Sequence, residues 1–353
     1  MQYIKNLKLE DLEQEIQQLG EPAFRARQIY KWLYQKNTTN FSDMTDIPGK
    51  FRVTLEKLFR VDTLDVTKEL KSRDGSVKFL FGTHDGYVIE SVWIPDDTRY
   101  TLCVSSQVGC AMGCAFCATG KMGLKRNLQP GEIVDQICLA KRSKLVKNRI
   151  TNLVFMGMGE PLANYENIVA AMRIITENLG LQFSPRRITL STAGLVPQLR
   201  KLGHEGLRVN LAISLNATTD ETRSFLMPVN RKYPLKELLK ACREFPLPRR
   251  KRITFEYILI DGINDSPDDA KNLVEILKGQ RAKVNLIPFN PHPGTEFRRP
   301  SEKNILRFQE ILFENHLTAI IRESRGEDVG AACGQLGSSC FAQKEDKRIS
   351  VAN

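Results

Sequence analysis

The sequence predicts an α/β fold: a partial parallel (β/α)6 barrel preceded by a small N-terminal helical module and a connecting β-hairpin. Three observations carry that expectation. Beyond residue 100, six apolar strand-length runs follow one another, and helical stretches separate most of them. The first sixty or so residues read instead as short helices. Between them, residues 65–94 alternate with the two-residue period of strands around the turn His84-Asp85-Gly86.

Residues 1–64 form the helical accessory domain. Leu9, Leu12, Ile16 and Leu19 recur at helical spacing, and Gly20 ends the helix. Pro22 opens a second helix with Phe24, Ile29, Trp32 and Leu33 as its apolar face. Arg25, Arg27, Lys31 and Lys36 decorate it. A basic helical module of this kind often contacts nucleic acid, and a solvated helix face is an equally common reading. Residues 65–95 supply the hairpin. Glu90 stands between Val88 and Val92 on one face of its second strand. Burying a charge is costly unless it is paired or protonated. Glu90 is therefore either an acid/base of raised pKa or a strand-edge residue facing water, and the sequence by itself favours water.

Residues 96–328 form the barrel. Its strands are expected at 101–106, 152–156, 187–191, 209–215, 254–260 and 284–289, with helices at 131–146 and 266–278 among those between them. Residues 329–353 are a C-terminal segment. The formal net charge of +11 points to an anionic partner, nucleic acid first. The N-terminus lacks the apolar core of a signal peptide, and no run approaches the ~20 apolar residues of a membrane span. A cytoplasmic protein without a membrane partner is expected, and there eight cysteines do not make a disulfide framework.

In a β/α barrel, chemistry gathers at the C-terminal strand ends. Here those ends carry a cysteine loop, then GMGEP at 157–161, Ser191-Thr192, Ser214-Leu215-Asn216 and Pro288-Phe289-Asn290. One such end alone is a turn signal; five together favour a shared pocket. The loop, GCAMGCAFCATG, holds Cys110, Cys114 and Cys117. A structural zinc site is closed by four ligands, and an ordinary [4Fe–4S] cluster also takes four cysteines. Cys138 is the next cysteine, inside a helical stretch, and reads as core. Three thiolates leave one iron of a cluster open to a small molecule.

This C-x3-C-x2-C spacing after a first barrel strand, with Phe116 before the third cysteine, resembles the radical S-adenosylmethionine (SAM) enzymes. The stretches TLCVSSQVGCAMGCAFCATGKMGLKRNL, FMGMGEPLANY, RRITLSTAGLVP, LAISLNA, VNLIPFNP and AACGQL narrow it further. Over nearly the whole chain they resemble the radical SAM RNA adenine methyltransferases of the RlmN/Cfr family. The proline of GMGEP points to its C-2 methylases rather than its C-8 methylases.

The resemblance implies a [4Fe–4S] cluster on Cys110, Cys114 and Cys117, and two SAM molecules per turnover. Cys333 matches the cysteine that carries the methyl group. Cys103 matches the one that resolves the RNA-bound intermediate through a transient disulfide, and Glu90 matches the general base. Gly159, Glu160, Ser191, Ser214, Leu215, Asn216 and Asn290 match SAM contacts, although the family usually has histidine where Asn216 stands. Cys242 and Cys340 match no family role and are expected to be structural. The implied partners are 23S rRNA, tRNA and a reducing protein such as flavodoxin or ferredoxin, and a monomer is expected. Lys121, Lys125, Arg126, the run Arg249, Arg250, Lys251, Arg252 and the N-terminal module are the expected RNA contacts. Arg186 and Arg187 precede a strand and belong on the far rim. The alternatives are C-8 methylation on the same scaffold and a non-catalytic RNA-binding protein with a structural metal.

Overall fold

The computed structural model describes residues 1–338. In the N-terminal module, β1 (Gln2–Tyr3) pairs in parallel with β2 (Phe59–Arg60), bracketing α1 (Leu9–Gln18), α2 (Phe24–Tyr34) and α3 (Gly49–Leu58). Leu12 and Ile16 are fully buried, while Leu19 lies just past α1 and is exposed. α2 buries Ala26, Ile29, Tyr30, Leu33 and Tyr34, and leaves Phe24 exposed under the Arg25 guanidinium at 4.8 Å. The expected apolar face was wrong at Phe24. At ~100° per residue it stands half a turn out of phase with Leu33.

Ten strands form one sheet. β3 (Leu64–Lys71), β4 (Val77–Thr83), β5 (Val88–Pro95) and β6 (Tyr100–Cys103) are successively antiparallel. Two short antiparallel strands, β7 (Gln107–Val108) and β8 (Arg126–Asn127), bracket the cysteine loop and lie outside the large sheet. The parallel part then runs through β9 (Asn152–Phe155), β10 (Ile188–Thr192), β11 (Asn210–Ser214), β12 (Ile253–Leu259), β13 (Ala282–Pro288) and β14 (Ala319–Ile321). β6 pairs in parallel with β9, so the order is β3-β4 at one edge through β13-β14 at the other, and the sheet is an open one.

The six expected strands are present with ends displaced by one to three residues. β14 was not expected; three residues are too few to show a period. The hairpin strands continue the main sheet, which makes β5 an interior strand with β4 on one side and β6 on the other. Helices link the parallel strands. α4 (Ala118–Lys121) is a single turn after the last loop cysteine, and α5 (Pro130–Arg142) leads into β9. α6 (Tyr165–Thr176), α7 (Val196–Gly203), α8 (Asp220–Leu226), α9 (Leu235–Glu244), α10 (Pro267–Leu277) and α11 (Glu302–Glu314) follow. Cys138 and Cys242 are buried in this helical layer, as expected of structural cysteines. Cys340 lies outside the described residues. No helix among the described residues is long and apolar enough to cross a membrane.

One buried ionic network fastens the N-terminal module to the barrel. The Lys5 ammonium, fully buried, contacts the equally buried Asp135 of α5 and lies 2.8 Å from Asp62. Arg142 grips Asp62 through two bonds of 2.8 Å, and Thr63 donates its hydroxyl to Asp135 at 2.9 Å. Lys5 stays charged because two carboxylates offset its desolvation. Asp135→Ala strands that ammonium and the Thr63 donors, so it should destabilise the fold by about 3–5 kcal/mol. The measurement is the urea unfolding midpoint at constant slope.

Candidate active site at the open rim of the barrel

The cysteine loop is seated from several sides. Cys110 N–H donates to the Gly123 carbonyl at 3.2 Å, Ala115 N–H to Leu226 at 2.9 Å, and Ala118 N–H to Gly334 at 2.8 Å. Gly109 has φ +74°, and a β-carbon there would lie 1.9 Å from the Gly123 oxygen, so only glycine fits. Beneath the loop, Phe116, Leu226, Met227, Ile260 and Phe289 make an apolar cushion against which Cys114 and Cys117 pack. Burial pushes the Cys110 thiol up to about 12. Burial and then the neighbouring Cys117 and Cys110 raise Cys114 well above its usual value.

Three soft donors that repel one another as thiolates suit a cationic metal group. Among the described residues no three metal-binding side chains converge on a single-ion site. An iron–sulfur cluster gives each cysteine its own iron and needs no such convergence. The donor set therefore fits a three-cysteine cluster better than a closed zinc centre.

The neighbouring strand ends are knitted to one another. A β-carbon on Gly159, at φ +100°, would lie 2.5 Å from Gln107, so this loop can approach β7 only as glycine. Glu160 is wholly enclosed. Its carboxylate accepts from Thr192 Oγ1 and Ala193 N–H at 2.7 Å each and from Leu162 N–H at 3.0 Å. Burial raises its pKa and these donors oppose the rise. A carboxylate has about four acceptor sites. Three are filled by the protein itself.

Ser191 is buried on β10, and Ser214 ends β11. Asn216, at φ +59°, is buried and held by the barrel: its Oδ1 accepts from Ile258 N–H at 2.9 Å, and its carbonyl accepts from Asn264 at 2.8 Å. Asparagine suits left-handed backbone, so Asn216 shapes the turn after Leu215.

Arg223 escaped the sequence reading. Completely buried, it donates to the carbonyls of Leu215 at 3.0 Å, Ala193 at 2.8 Å and Ser214 at 3.1 Å, and to Asn230 Oδ1 at 2.9 Å. It ties the β10 and β11 ends together. Burial lowers its pKa to about 10, with Cys114 the leading opposing charge. One arginine in a seven-residue helix carries no signal in the sequence.

Glu90 does not face water. It is 1% exposed and pairs with Lys78 of β4 at 3.0 Å, because the C-terminal segment covers this face of the sheet. Its Oε2 also accepts from Gly337 N–H at 2.9 Å, and Lys78 donates to the Gly330 carbonyl at 3.0 Å. The strand pair thus clasps the C-terminal segment that carries Cys333. The same segment is held by Thr119 Oγ1 on Leu336 at 2.6 Å and Gln335 Nε2 on Pro291 at 2.8 Å. Asn290 donates to the Cys333 carbonyl at 3.1 Å and accepts from Ser324, so its amide positions this segment.

Cys103, at the end of β6, is buried, and its pKa is raised by burial and then by the neighbouring Cys333 thiol. Cys333 is a residue that solvent reaches, and partial desolvation of its thiol, then Glu256, raises its pKa. Both cysteines are free thiols.

Several expected RNA contacts are otherwise engaged. Arg126 is bound by Asp85 and Glu132, and Lys121 contacts the Gly294 carbonyl. Lys125 is exposed beside the loop. The run 249–252 precedes β12 and therefore sits on the rim opposite the cysteines, as Arg186 and Arg187 do.

Glu256 is a second residue missed in the sequence, although a carboxylate inside the strand ITFEYIL was a readable signal. Burial pushes it from the ordinary 4.5 to about 7, opposed by Asn285, which donates to it at 3.0 Å. The folded state then holds its proton more tightly than the unfolded chain. Its contribution to stability is greatest below pH 4.5 and is lost as pH rises to about 7. Glu256→Gln should flatten that part of the stability–pH curve, measured by urea unfolding from pH 4.5 to 8.

Comparison with known proteins agrees with this geometry. Residues 104–274 match the model of the radical SAM superfamily, and residues 3–61 match a ribosomal RNA large subunit methyltransferase N-terminal domain. A relative from Syntrophobacter fumaroxidans, named dual-specificity RNA methyltransferase RlmN, is 57% identical over 94% of this chain and 97% of its own. One of the same name from Geobacter sulfurreducens is 52% identical over 99% of this chain and 97% of its own. The crystal structure of a radical SAM methyltransferase from Sphaerobacter thermophilus superposes with a TM-score of 0.92 at 45% identity, covering 96% of this chain and 100% of that one. The chain belongs to the RlmN family of radical SAM RNA methyltransferases.

Proposed function

We propose that the protein adds a methyl group to C-2 of adenosine in RNA, both 23S rRNA and tRNA, through a methylated Cys333. The observation that supports this most is the gathering of Glu90, Cys103 and Cys333 beside the three-cysteine loop. Cys110, Cys114 and Cys117 would hold a [4Fe–4S] cluster, with SAM bound along Gly159, Glu160, Ser191, Ser214, Leu215 and Asn216. Reduced and loaded with SAM, that centre supplies the carbon radical chemistry that an electron-poor ring carbon such as adenine C-2 requires.

The remaining work falls to the chain's own side chains. Cys333 Sγ accepts a methyl group by nucleophilic displacement and must first lose its proton. One SAM gives that methyl and a second serves the radical step. Once the RNA is joined through the methyl carbon to Cys333, the radical adduct must lose one electron as well as the C-2 proton: the electron would return to the [4Fe–4S] centre held by Cys110, Cys114 and Cys117, and Glu90 takes the proton. Cys103 Sγ then attacks Cys333 Sγ. The sulfur–carbon bond breaks towards the base, the freed carbon becomes methyl on taking a proton, and a disulfide remains to be reduced by thiol exchange. Burial keeps both thiols protonated at rest, which guards them from oxidation. A flavodoxin- or ferredoxin-like reductant, a cytoplasmic location and a monomeric state complete the reading. Pro161 of GMGEP favours C-2 over C-8.

The test is nucleoside mass spectrometry after anaerobic reconstitution with iron and sulfide, then SAM, reductant and protein-free 23S RNA. 2-Methyladenosine is expected; 8-methyladenosine alone overturns the regiochemistry. Cys333→Ala should abolish product. Cys103→Ala should accumulate protein joined to RNA, and normal turnover in that variant removes the resolving role.

A further inference from the structure

The rim opposite the cysteines carries a feature that the reaction does not use. Arg187 leads into β10, Arg208 precedes β11, Arg249, Arg250 and Arg252 precede β12, and Arg281 precedes β13. These strands are neighbours in the sheet. At about 4.8 Å per strand, the cations form a band roughly 15–20 Å long. Part of it encloses a cavity of about 740 Å³ in which Glu275 is the one carboxylate among the lining residues.

Among the described residues, no carboxylate forms an ion pair with the arginines of the band. Glu275 is paired with Lys278 at 3.5 Å, and the nearby ion pairs Arg173–Glu205, Arg200–Glu244 and Lys240–Glu244 use other cations. The band's own contacts are to neutral acceptors. Arg252 donates to Thr318 Oγ1 at 3.1 Å, Arg281 to the Leu247 and Pro248 carbonyls at 3.2 and 3.3 Å, and Arg187 to Asn152 Oδ1 at 3.2 Å. Such bonds aim guanidinium groups without cancelling them. Arg208 and Arg250 also hold left-handed backbone, φ +48° and +69°, which a long side chain rarely adopts. Strain of this kind at a charged residue points to a use for the side chain.

We propose that this band is a second RNA-binding surface, which grips phosphates of the substrate remote from the reacting adenosine; it rests on the reading of RNA as substrate. Strands of four to seven residues separate the two rims by about 15–25 Å. The band therefore engages a flanking part of a folded RNA and sets affinity, while the cysteine rim sets chemistry. No large exposed apolar side chain among the described residues lies in the loops that carry these arginines. A membrane-bound face would need such groups to insert, which favours phosphodiesters over a lipid surface.

The full-length triple variant Arg208→Asn, Arg249→Gln, Arg250→Asn tests this. Asparagine tolerates the left-handed backbone at the two strained sites. Binding is titrated against a long 23S fragment and against a short stem-loop that holds only the target adenosine. On the long fragment, affinity at 0.15 M salt should fall about tenfold or more, and the slope of log K against log salt should shallow by about 2–3. Stem-loop binding and the methylation rate at saturating RNA should be unchanged. Unaltered affinity and slope on the long RNA overturn the proposal, as does equal loss on both RNAs. Lost binding to anionic phospholipid vesicles with RNA binding intact reassigns the band to lipid and also overturns it. If wild-type protein binds both RNAs without forming methyladenosine, the proposed activity fails, while the binding comparison still decides the band.

Discussion

The ion pair between Lys78 and Glu90 is the constraint on which the site depends. Both side chains are about 2% exposed, and removing two charges from water costs several kcal/mol for each. The pair survives because each member has further partners: Gly337 N–H on the carboxylate and the Gly330 carbonyl on the ammonium. Those partners flank Cys333. The ion pair that holds Glu90 thus also sets where the Cys333 segment stands, because the same two side chains grip the backbone on either side of it.

Around that clasp the polar groups of the rim are mostly committed to one another. Glu160 fastens the β9 loop to the β10 end, Arg223 fastens the β10 end to the β11 end, and Asn290 fixes the segment carrying Cys333. Each bond removes a rotamer choice before any ligand arrives, which is how a site is held in register for chemistry that tolerates little displacement. The glycines serve the same end. Gly109 and Gly159 allow backbone to meet backbone or side chain where a β-carbon would collide. Close approach, more than flexibility, explains them.

Much of this was legible in the sequence, and what was not has physical reasons. Parallel strands buried on both faces are continuous apolar runs, so all six barrel strands were found within a few residues. The cysteine spacing and the polar strand ends marked the working rim. The surroundings of Glu90 were hidden because they are tertiary: Lys78 comes from the neighbouring strand, and the segment with Gly337, 247 residues further on, covers that face. Phe24 stands half a turn from Leu33, so a proline-led helix start carries it to the solvent side. Arg223 acts through the carbonyls of neighbouring strand ends, which no local pattern encodes. Asn290 was legible as a strand-end residue, and only its bond to the Cys333 carbonyl is tertiary. Glu256 was legible as a carboxylate inside an apolar strand. The side of the run 249–252 was legible too, because it precedes β12 just as Arg186 and Arg187 precede β10.

The distribution of charge separates two tasks that one surface could not perform equally well. The cysteine rim buries Glu160 beside Cys110 and Cys114 and Glu256 beside Cys333, and a dense field of phosphate there would push the pKa of both carboxyls further up. Cations strong enough to hold phosphates would do the reverse, and would disturb the Lys78–Glu90 balance in a low-dielectric site. Placing unpaired arginines at the other ends of the same strands puts them about two to three Debye lengths away at physiological salt. At that distance the band can attract and orient a polyanion while its field at the thiols is largely screened. The parallel sheet makes this possible, because every strand has one end in each environment.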